Sequence, residues 1–295
     1  MKPRLLIIGA TGFVGSNWAR SAERAFDVWR GSRHAGDAPQ AVAIDIVDER
    51  SVTAAFERVR PEFVTLLAAL SDIDRCQREP QLAERINLGG ATNVARHCAR
   101  TGARLLYTST DAVFDGTRGL YREDDPPTPP NRYGETKVWA ERAIAELVPT
   151  ATIARLSLVL GTSALAGGNS YLEKVAGNLR AGNEIISPTY ELRNPIDVAT
   201  LCEFLFELTQ HDRAAGIVHI GASDKISRYE LARAIARGLG ADERLIVPQD
   251  APVPGRAPRG CDDFLATDRL RALCRTPVPT CAQVLERALA RFATP

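Results

Sequence analysis

No charge of one sign dominates this sequence: 37 lysines and arginines stand against 36 aspartates and glutamates, a formal net charge of +1. Without a strongly basic or acidic field, nucleic acid and anionic membrane surfaces are poor partners. Long apolar runs are missing as well. The first, Leu5-Leu6-Ile7-Ile8, stops after four residues at Gly9, too short for the core of a signal peptide and far too short to span a bilayer. A cytoplasmic protein is therefore expected. Cysteine lacks any pairing pattern: Cys76, Cys98, Cys202, Cys261, Cys274 and Cys281 include no CxxC, and the adjacent His97 and Cys98 have no second pair to complete a metal site. Reduced thiols, mostly buried, and no metal are expected. Nor is there an internal repeat or a low-complexity tract. With 45% hydrophobic and 25% charged residues the chain has an ordinary globular composition, and 295 residues suffice for one large α/β unit or a main domain with a smaller lobe.

The first 160 or so residues alternate short apolar runs with amphipathic stretches, the pattern of β-α units and a parallel sheet covered on both faces. Strands are expected at Arg4 to Ile8, Phe26 to Gly31, Ala41 to Ile44, Phe63 to Ala68, Arg104 to Thr108 and Thr152 to Leu158. Helices are expected at Val14 to Ala25, Ser51 to Arg58, Gln81 to Arg100 and Tyr133 to Leu147. The fold class is therefore α/β, a doubly wound parallel sheet of the Rossmann type, with a smaller C-terminal substrate-binding lobe. Residues 1–160 would form the dinucleotide-binding domain, rejoined by a segment at about 189–222, while 161–188 and 223–295 would form the lobe. In such sheets ligands bind beyond the carboxyl ends of the strands.

At the first β-α junction stands Gly9-Ala10-Thr11-Gly12-Phe13-Val14-Gly15. A glycine-rich turn there offers backbone N–H groups of Thr11, Phe13 and Val14 and a helix N-terminus to a pyrophosphate. Glycine keeps a Cβ out of the turn and out of the phosphate's approach. About 20 residues on, an acidic side chain would receive the adenosine ribose of NAD. The window Val28 to His34 has no carboxylate, and Arg30, Ser32 and Arg33 suit a 2′-phosphate instead. NADP is thus favoured, with NAD as the alternative. Asp45, followed by Ile46 at the end of the third strand, is a candidate for the adenine edge or equally a plain turn former.

Tyr133 and Lys137 lie four apart on an expected helix, hence on one face. Carbonyl reduction needs a proton donor at oxygen as hydride arrives at carbon, and a phenol with an ordinary pKa of about 10 is sluggish near neutrality. A neighbouring ammonium, with the positive nicotinamide of the oxidised complex, is expected to lower that pKa, and the same ammonium can hold the nicotinamide ribose. One β-α step upstream, the apolar strand Leu105-Leu106-Tyr107 ends in the hydroxyls of Thr108, Ser109 and Thr110, where Thr110 can bond a substrate carbonyl.

These stretches, with Leu67-Ala68-Ala69, Asn87 and Asn93, Ser109-Thr110-Asp111-Ala112-Val113-Phe114-Asp115-Gly116 and Arg193-Asn194-Pro195-Ile196, fall in the order found in extended short-chain dehydrogenases/reductases. The chain most resembles the dTDP-4-dehydrorhamnose reductase branch, over nearly its whole length. The resemblance implies a catalytic set of Thr110, Tyr133 and Lys137. It implies that Ala68 and Ala69 line the cofactor and that Asn87 supports the site. Substrate would meet Ser71, Thr110, Asp111, Asn169 and Arg193, the last near the nucleotide phosphates. The chain departs from the branch at Ala112, where an aromatic usually follows Thr-Asp, and at Tyr190, where an acidic residue is common. A dehydratase is disfavoured because Ala112 replaces the glutamate that water elimination uses.

The resemblance thus implies an NADPH-dependent reductase of a nucleotide-linked 4-keto sugar, with that small molecule as partner and a homodimer left open. Two other readings stay open. One is a nucleotide-sugar C4 epimerase. The other is a cofactor-binding regulatory subunit, because the beta subunit of methionine adenosyltransferase resembles the same branch.

Overall fold

The computed structural model describes residues 1–34, 36, 40–165, 170–252 and 255–292. Its central sheet contains β1 (Arg4–Ile8), β2 (Asp27–Ser32), β3 (Ala41–Ala43), β4 (Phe63–Leu66), β5 (Arg104–Thr110), β6 (Thr152–Leu156) and a seventh strand, Gly216–Ile220. Every pairing is parallel, and the spatial order is β3-β2-β1-β4-β5-β6 with Gly216–Ile220 at the far edge. Strand order reverses between β1 and β4, which is where a doubly wound sheet opens a ligand crevice.

Strand residues alternate between two apolar layers. Leu5 and Ile7 point into one, with Trp18 and Ala19 of α1 (Phe13–Ala22) and Phe204 and Leu205 of helix Val198–Gln210. Leu6 and Ile8 point into the other, with Val52 and Phe56 of α2 (Glu49–Val59) and with the helices that follow β4. Each layer removes fully buried side chains from water at roughly 25 cal/mol per Å² of apolar surface, so a parallel sheet with two covered faces is the stable arrangement.

The single helix expected over Gln81 to Arg100 is interrupted. α3 (Ile73–Arg78) and α4 (Pro80–Glu84) lead into a π-helical turn, Arg85–Gly90, before α5 (Ala91–Thr101). Pro80 cannot donate a backbone hydrogen bond and so starts a new helix. The π turn carries Asn87, and such turns recur at functional sites. The strand expected to run to Leu158 stops at Leu156, and the chain pairs again only at Val159–Leu160, with Ile196–Asp197. Beyond the sheet, helices Tyr171–Arg180 and Arg228–Gly238 pack around the parallel pair Ile185–Pro188 and Ile246–Gln249. Both helices begin with a Ser-x-x-Glu capping box, Ser170 with Glu173 and Ser227 with Glu230.

Candidate active site

Gly9 leaves β1 at φ +96°, and its N–H, like that of Ala10, donates to the Gly31 carbonyl. A Cβ on Gly15 would stand 2.1 Å from the Gly9 oxygen, so only glycine lets α1 begin this close under the strand end. The N-cap of α1 is Gly12, with no side-chain cap and no acidic residue in the first turn. The positive end of the helix therefore faces outward without an internal anion, which suits a pyrophosphate. Ala68 follows β4, and a Cβ on Gly9 would stand 2.8 Å from its backbone nitrogen.

The far side of the crevice is built by α6 (Arg132–Leu147). Its N-cap Asn131 accepts from Gly134 N–H at 2.9 Å and donates to the Pro258 carbonyl at 2.9 Å. A Cβ on Gly134 would lie 2.2 Å from the Ala112 oxygen, so glycine lets the helix seat against the turn that holds Thr110. Thr110 ends β5 and caps the short turn Asp111–Val113, accepting from Ala112 N–H at 3.2 Å and donating to Asp111 Oδ1 at 3.0 Å. Tyr133 and Thr110 line the same cavity, and the Thr110 hydroxyl acts to lower the Tyr133 phenol. The Lys137 ammonium donates to the Thr108 carbonyl at 2.7 Å and lies 4.1 Å from the Tyr107 ring centre, almost completely buried.

The charges here differ from the expectation. Burial raises the Tyr133 phenol above its ordinary value, the Thr110 hydroxyl opposes this, and the Asp111 charge adds to it. Lys137 does not offset that rise, because burial holds its own ammonium down to about 7, with nearby Glu141 pulling the other way. In the cofactor-free protein desolvation dominates at both groups, raising the phenol and lowering the ammonium.

Phe13, Val14, Ala69, Ser71, Thr110, Asp111, Tyr133, Lys137 and Arg193 all line one cavity of about 650 Å³. Other expected residues are engaged elsewhere. Arg30 pairs with Glu23, at the end of α1 remote from the glycine loop. Ser32 donates to the His34 carbonyl, and Arg33 is exposed beside it. Asp45 accepts from Val47 N–H at 3.0 Å, the turn-forming alternative, and Ile46 is buried on Gly90 with its carbonyl bonded by Asn93. Asn87 has both amide ends occupied: it accepts from Leu70 N–H at 2.8 Å and donates to the Leu70 carbonyl and to Thr136 Oγ1, both at 3.1 Å. It ties the loop after β4 to α6 and does not line the cavity. Arg193 sits between two carboxylates, Asp111 at 3.6 Å and Asp263 at 2.7 Å, so its charge is already matched. Asn169 lies outside the described residues.

Sequence reasoning missed a cationic wall on the lobe side. Arg228 stacks on Tyr171, 3.9 Å from guanidinium carbon to ring centre, and makes no ion pair among the described residues. Burial lowers its pKa, so an anion in the cavity would find a poorly hydrated partner. Lys174 also lines the cavity, while Arg256 and Arg259 reach in but pair with Glu191 and Asp74. No spacing motif marks these residues; the only signal was two arginines three apart in a proline-containing loop. A second depression, lined by Arg24, Glu203, Phe206 and Glu207, lies on the outer helices and holds none of the expected residues. Five cysteines are buried and Cys261 is exposed, all of them free. Among the described residues no cluster could hold a metal ion, and no helix is long and apolar enough to cross a membrane.

Comparison with known proteins agrees with this geometry. The model of the RmlD substrate binding domain matches residues 2–294. Methionine adenosyltransferase 2 subunit beta of Xenopus laevis is 30% identical over 276 residues, covering 92% of this chain and 82% of that protein. The spore coat polysaccharide biosynthesis protein SpsK of Bacillus subtilis is 30% identical over 259 residues, covering 87% and 86%. Among solved structures, dTDP-4-dehydrorhamnose reductase from Bacillus anthracis in complex with NADP superposes with a TM-score of 0.89 at 27% identity, covering 98% of this chain and 99% of that one.

Proposed function

Because the chain belongs to the RmlD substrate binding domain family, we propose that it reduces the keto group of a nucleotide-linked 4-keto sugar with NADPH. The observation that carries the reading is that Phe13 and Val14, the first helical residues after the uncapped Gly12, line one cavity with Thr110, Tyr133 and Lys137. NADPH rather than NADH is supported by the carboxylate-free window Val28 to His34 and by the NADP complex of the Bacillus anthracis relative. NAD remains the alternative.

The backbone N–H groups at the start of α1 would hold the pyrophosphate, and Ala68 and Ala69 would flank the rest of the cofactor. Bound NADPH supplies a hydride. Tyr133, kept protonated by its burial, gives its proton to the keto oxygen as the carbinol forms. Thr110 offers the same oxygen a second hydrogen bond. Lys137, poised on Thr108 and Tyr107, would anchor the nicotinamide ribose, and a neighbouring phenolate would favour its charged form. Arg228 and Lys174 would receive the anionic nucleotide end of the substrate.

The similarity to methionine adenosyltransferase 2 subunit beta favours a second reading, a cofactor-binding regulatory subunit without turnover. The complete Thr110, Tyr133 and Lys137 set favours catalysis. A thermal-shift panel crossing NAD(H) and NADP(H) with UDP- and dTDP-sugars tests the reading, since a ligand of the folded state raises the melting temperature. A rise with NADPH that grows with a nucleotide sugar supports it; no response to either cofactor overturns it.

A further inference from the structure

The Thr110 hydroxyl stands between two acids: it donates to Asp111 Oδ1 at 3.0 Å, and it lines one cavity with Tyr133, whose phenol it acts to lower. Asp111 does not face solvent alone. Its Oδ2 accepts from Ser157 at 3.3 Å and lies 3.6 Å from Arg193 Nε, while Arg193 Nη2 reaches Asp263 Oδ2 at 2.7 Å. The three side chains are only 12%, 10% and 2% exposed, in that order along Asp111, Arg193 and Asp263. Asp263 Oδ1 is buried with no hydrogen-bond partner. Two ionised carboxylates around one guanidinium would leave a buried negative charge and a bare carboxylate oxygen, both costly.

The surrounding charges do not relieve this. Glu191 and Asp262 face Asp263 and add to its burden, and each is already paired, with Arg256 and Lys225 respectively. Arg228, also near Arg193, lies on Tyr171. The cluster is neutral when one of its two carboxyls keeps a proton, and burial accordingly raises both Asp111 and Asp263, the latter to about 8. The proton belongs to the pair, and Asp111 is the member in contact with Thr110.

We propose that the Asp111, Arg193 and Asp263 cluster is a proton store that returns a proton to the Tyr133 phenolate through the Thr110 hydroxyl. This rests on the reductase reading, in which Tyr133 loses its proton in each turnover. In the return step the Asp111 carboxyl O–H breaks and its proton goes to Thr110 Oγ1, while the Thr110 proton goes to the Tyr133 oxygen. A carboxylic acid and a phenolate become a carboxylate and a phenol, with Thr110 unchanged. The step is downhill because a phenol holds its proton more tightly than a carboxyl. Both aspartates line the cavity, so the store refills from solvent.

The test begins without substrate. Carbon-13 NMR titration of the full chain labelled at the aspartate carboxyls should find an aspartate pair with a step well above the ordinary range of about 4. Asp263→Asn leaves Arg193 to Asp111 alone and should return Asp111 to that range; Asp111→Asn should lower Asp263 in the same way. Elevated steps that survive both substitutions, or none in the wild type, overturn the proposal. With a reducible keto sugar, Asp263→Asn, which empties the store without altering a substrate contact, should keep single-turnover hydride transfer from preloaded NADPH while steady-state turnover falls roughly tenfold or more. Equal loss in both phases would mean a merely structural role and would also overturn it. Failure of the wild type to bind NADPH by fluorescence would remove the reductase reading instead, leaving the carboxyl titration to stand separately.

Discussion

Lys137→Met should stabilise the cofactor-free protein at neutral pH, although it replaces a residue of the proposed catalytic set. The ammonium is buried without a carboxylate within ion-pair distance among the described residues, and its pKa is held down to about 7 from an ordinary 10.5. At about 1.4 kcal/mol per pKa unit, that difference caps the cost of burial near ~5 kcal/mol below pH 7, where lysine is charged in both folded and unfolded states. Losing the bond to the Thr108 carbonyl returns about 1–3 kcal/mol of this, and losing the contact with the Tyr107 ring about 0.5–2 kcal/mol. A net gain of roughly 0–3.5 kcal/mol for the variant at pH 6 is what remains. The sign with pH is more decisive. Between about 7 and 10.5 the unfolded chain binds a proton at Lys137 that the folded chain does not, so wild-type stability rises with pH across that window. The advantage of methionine should therefore shrink by about 2–3 kcal/mol from pH 6 to pH 9, because shared groups cancel in the comparison. Urea unfolding of both proteins at pH 6, 7, 8 and 9 measures this. A variant less stable by a constant amount at every pH, or a gap that widens as pH rises, would refute the reasoning.

Other expectations follow from the glycine turn and the cofactor window. Gly12→Val should leave the fold, because a Cβ there meets only the Gly9 oxygen, at 3.3 Å, and should abolish NADPH binding because its branches would occupy the pyrophosphate's approach, whereas Gly15→Ala should unfold or strongly destabilise the chain because its Cβ would stand 2.1 Å from that oxygen. Fluorescence titration and thermal melts separate the two; normal NADPH binding by Gly12→Val would mean the loop is only a turn. Wild-type protein should bind NADPH more tightly than NADH, and equal affinities in a parallel fluorescence titration would remove the argument from Ser32 and Arg33.

The parallel sheet was legible because each strand is a short apolar run between amphipathic stretches, whereas the spatial order of the seven strands is seen only in the structure, since β-α-β connections limit the orders without choosing one. Boundaries were less so. Pro80 and the π turn at Arg85–Gly90 break a periodicity that looked continuous, since a one-residue change of hydrogen-bond register barely disturbs the apolar pattern. Within the site, Tyr133, Lys137 and Thr110 could be found because their spacing is set by one helix and one strand end. Arg228, Tyr171 and Lys174 could not, because they meet only through the packing of two separate helices. Spacing located Lys137 and the family resemblance located Arg193, each with a role that took its charge as given. Their behaviour depends on burial, on two carboxylates for Arg193 and on desolvation for Lys137, and neither is written in local spacing.

The central claim is reduction of a nucleotide-linked keto sugar with Tyr133 as proton donor, and the most direct measurement is NADPH consumption by wild type and Tyr133→Phe across a panel of UDP- and dTDP-linked 4-keto sugars. The substitution keeps the ring and removes only the hydroxyl that faces the cavity shared with Thr110. Turnover by the wild type is expected, with a loss of about 10²-fold or more in the variant at nearly unchanged NADPH affinity. Turnover that survives in Tyr133→Phe would contradict the assignment of the proton donor, and a wild type that binds NADPH but consumes none with any sugar would contradict the reductase itself.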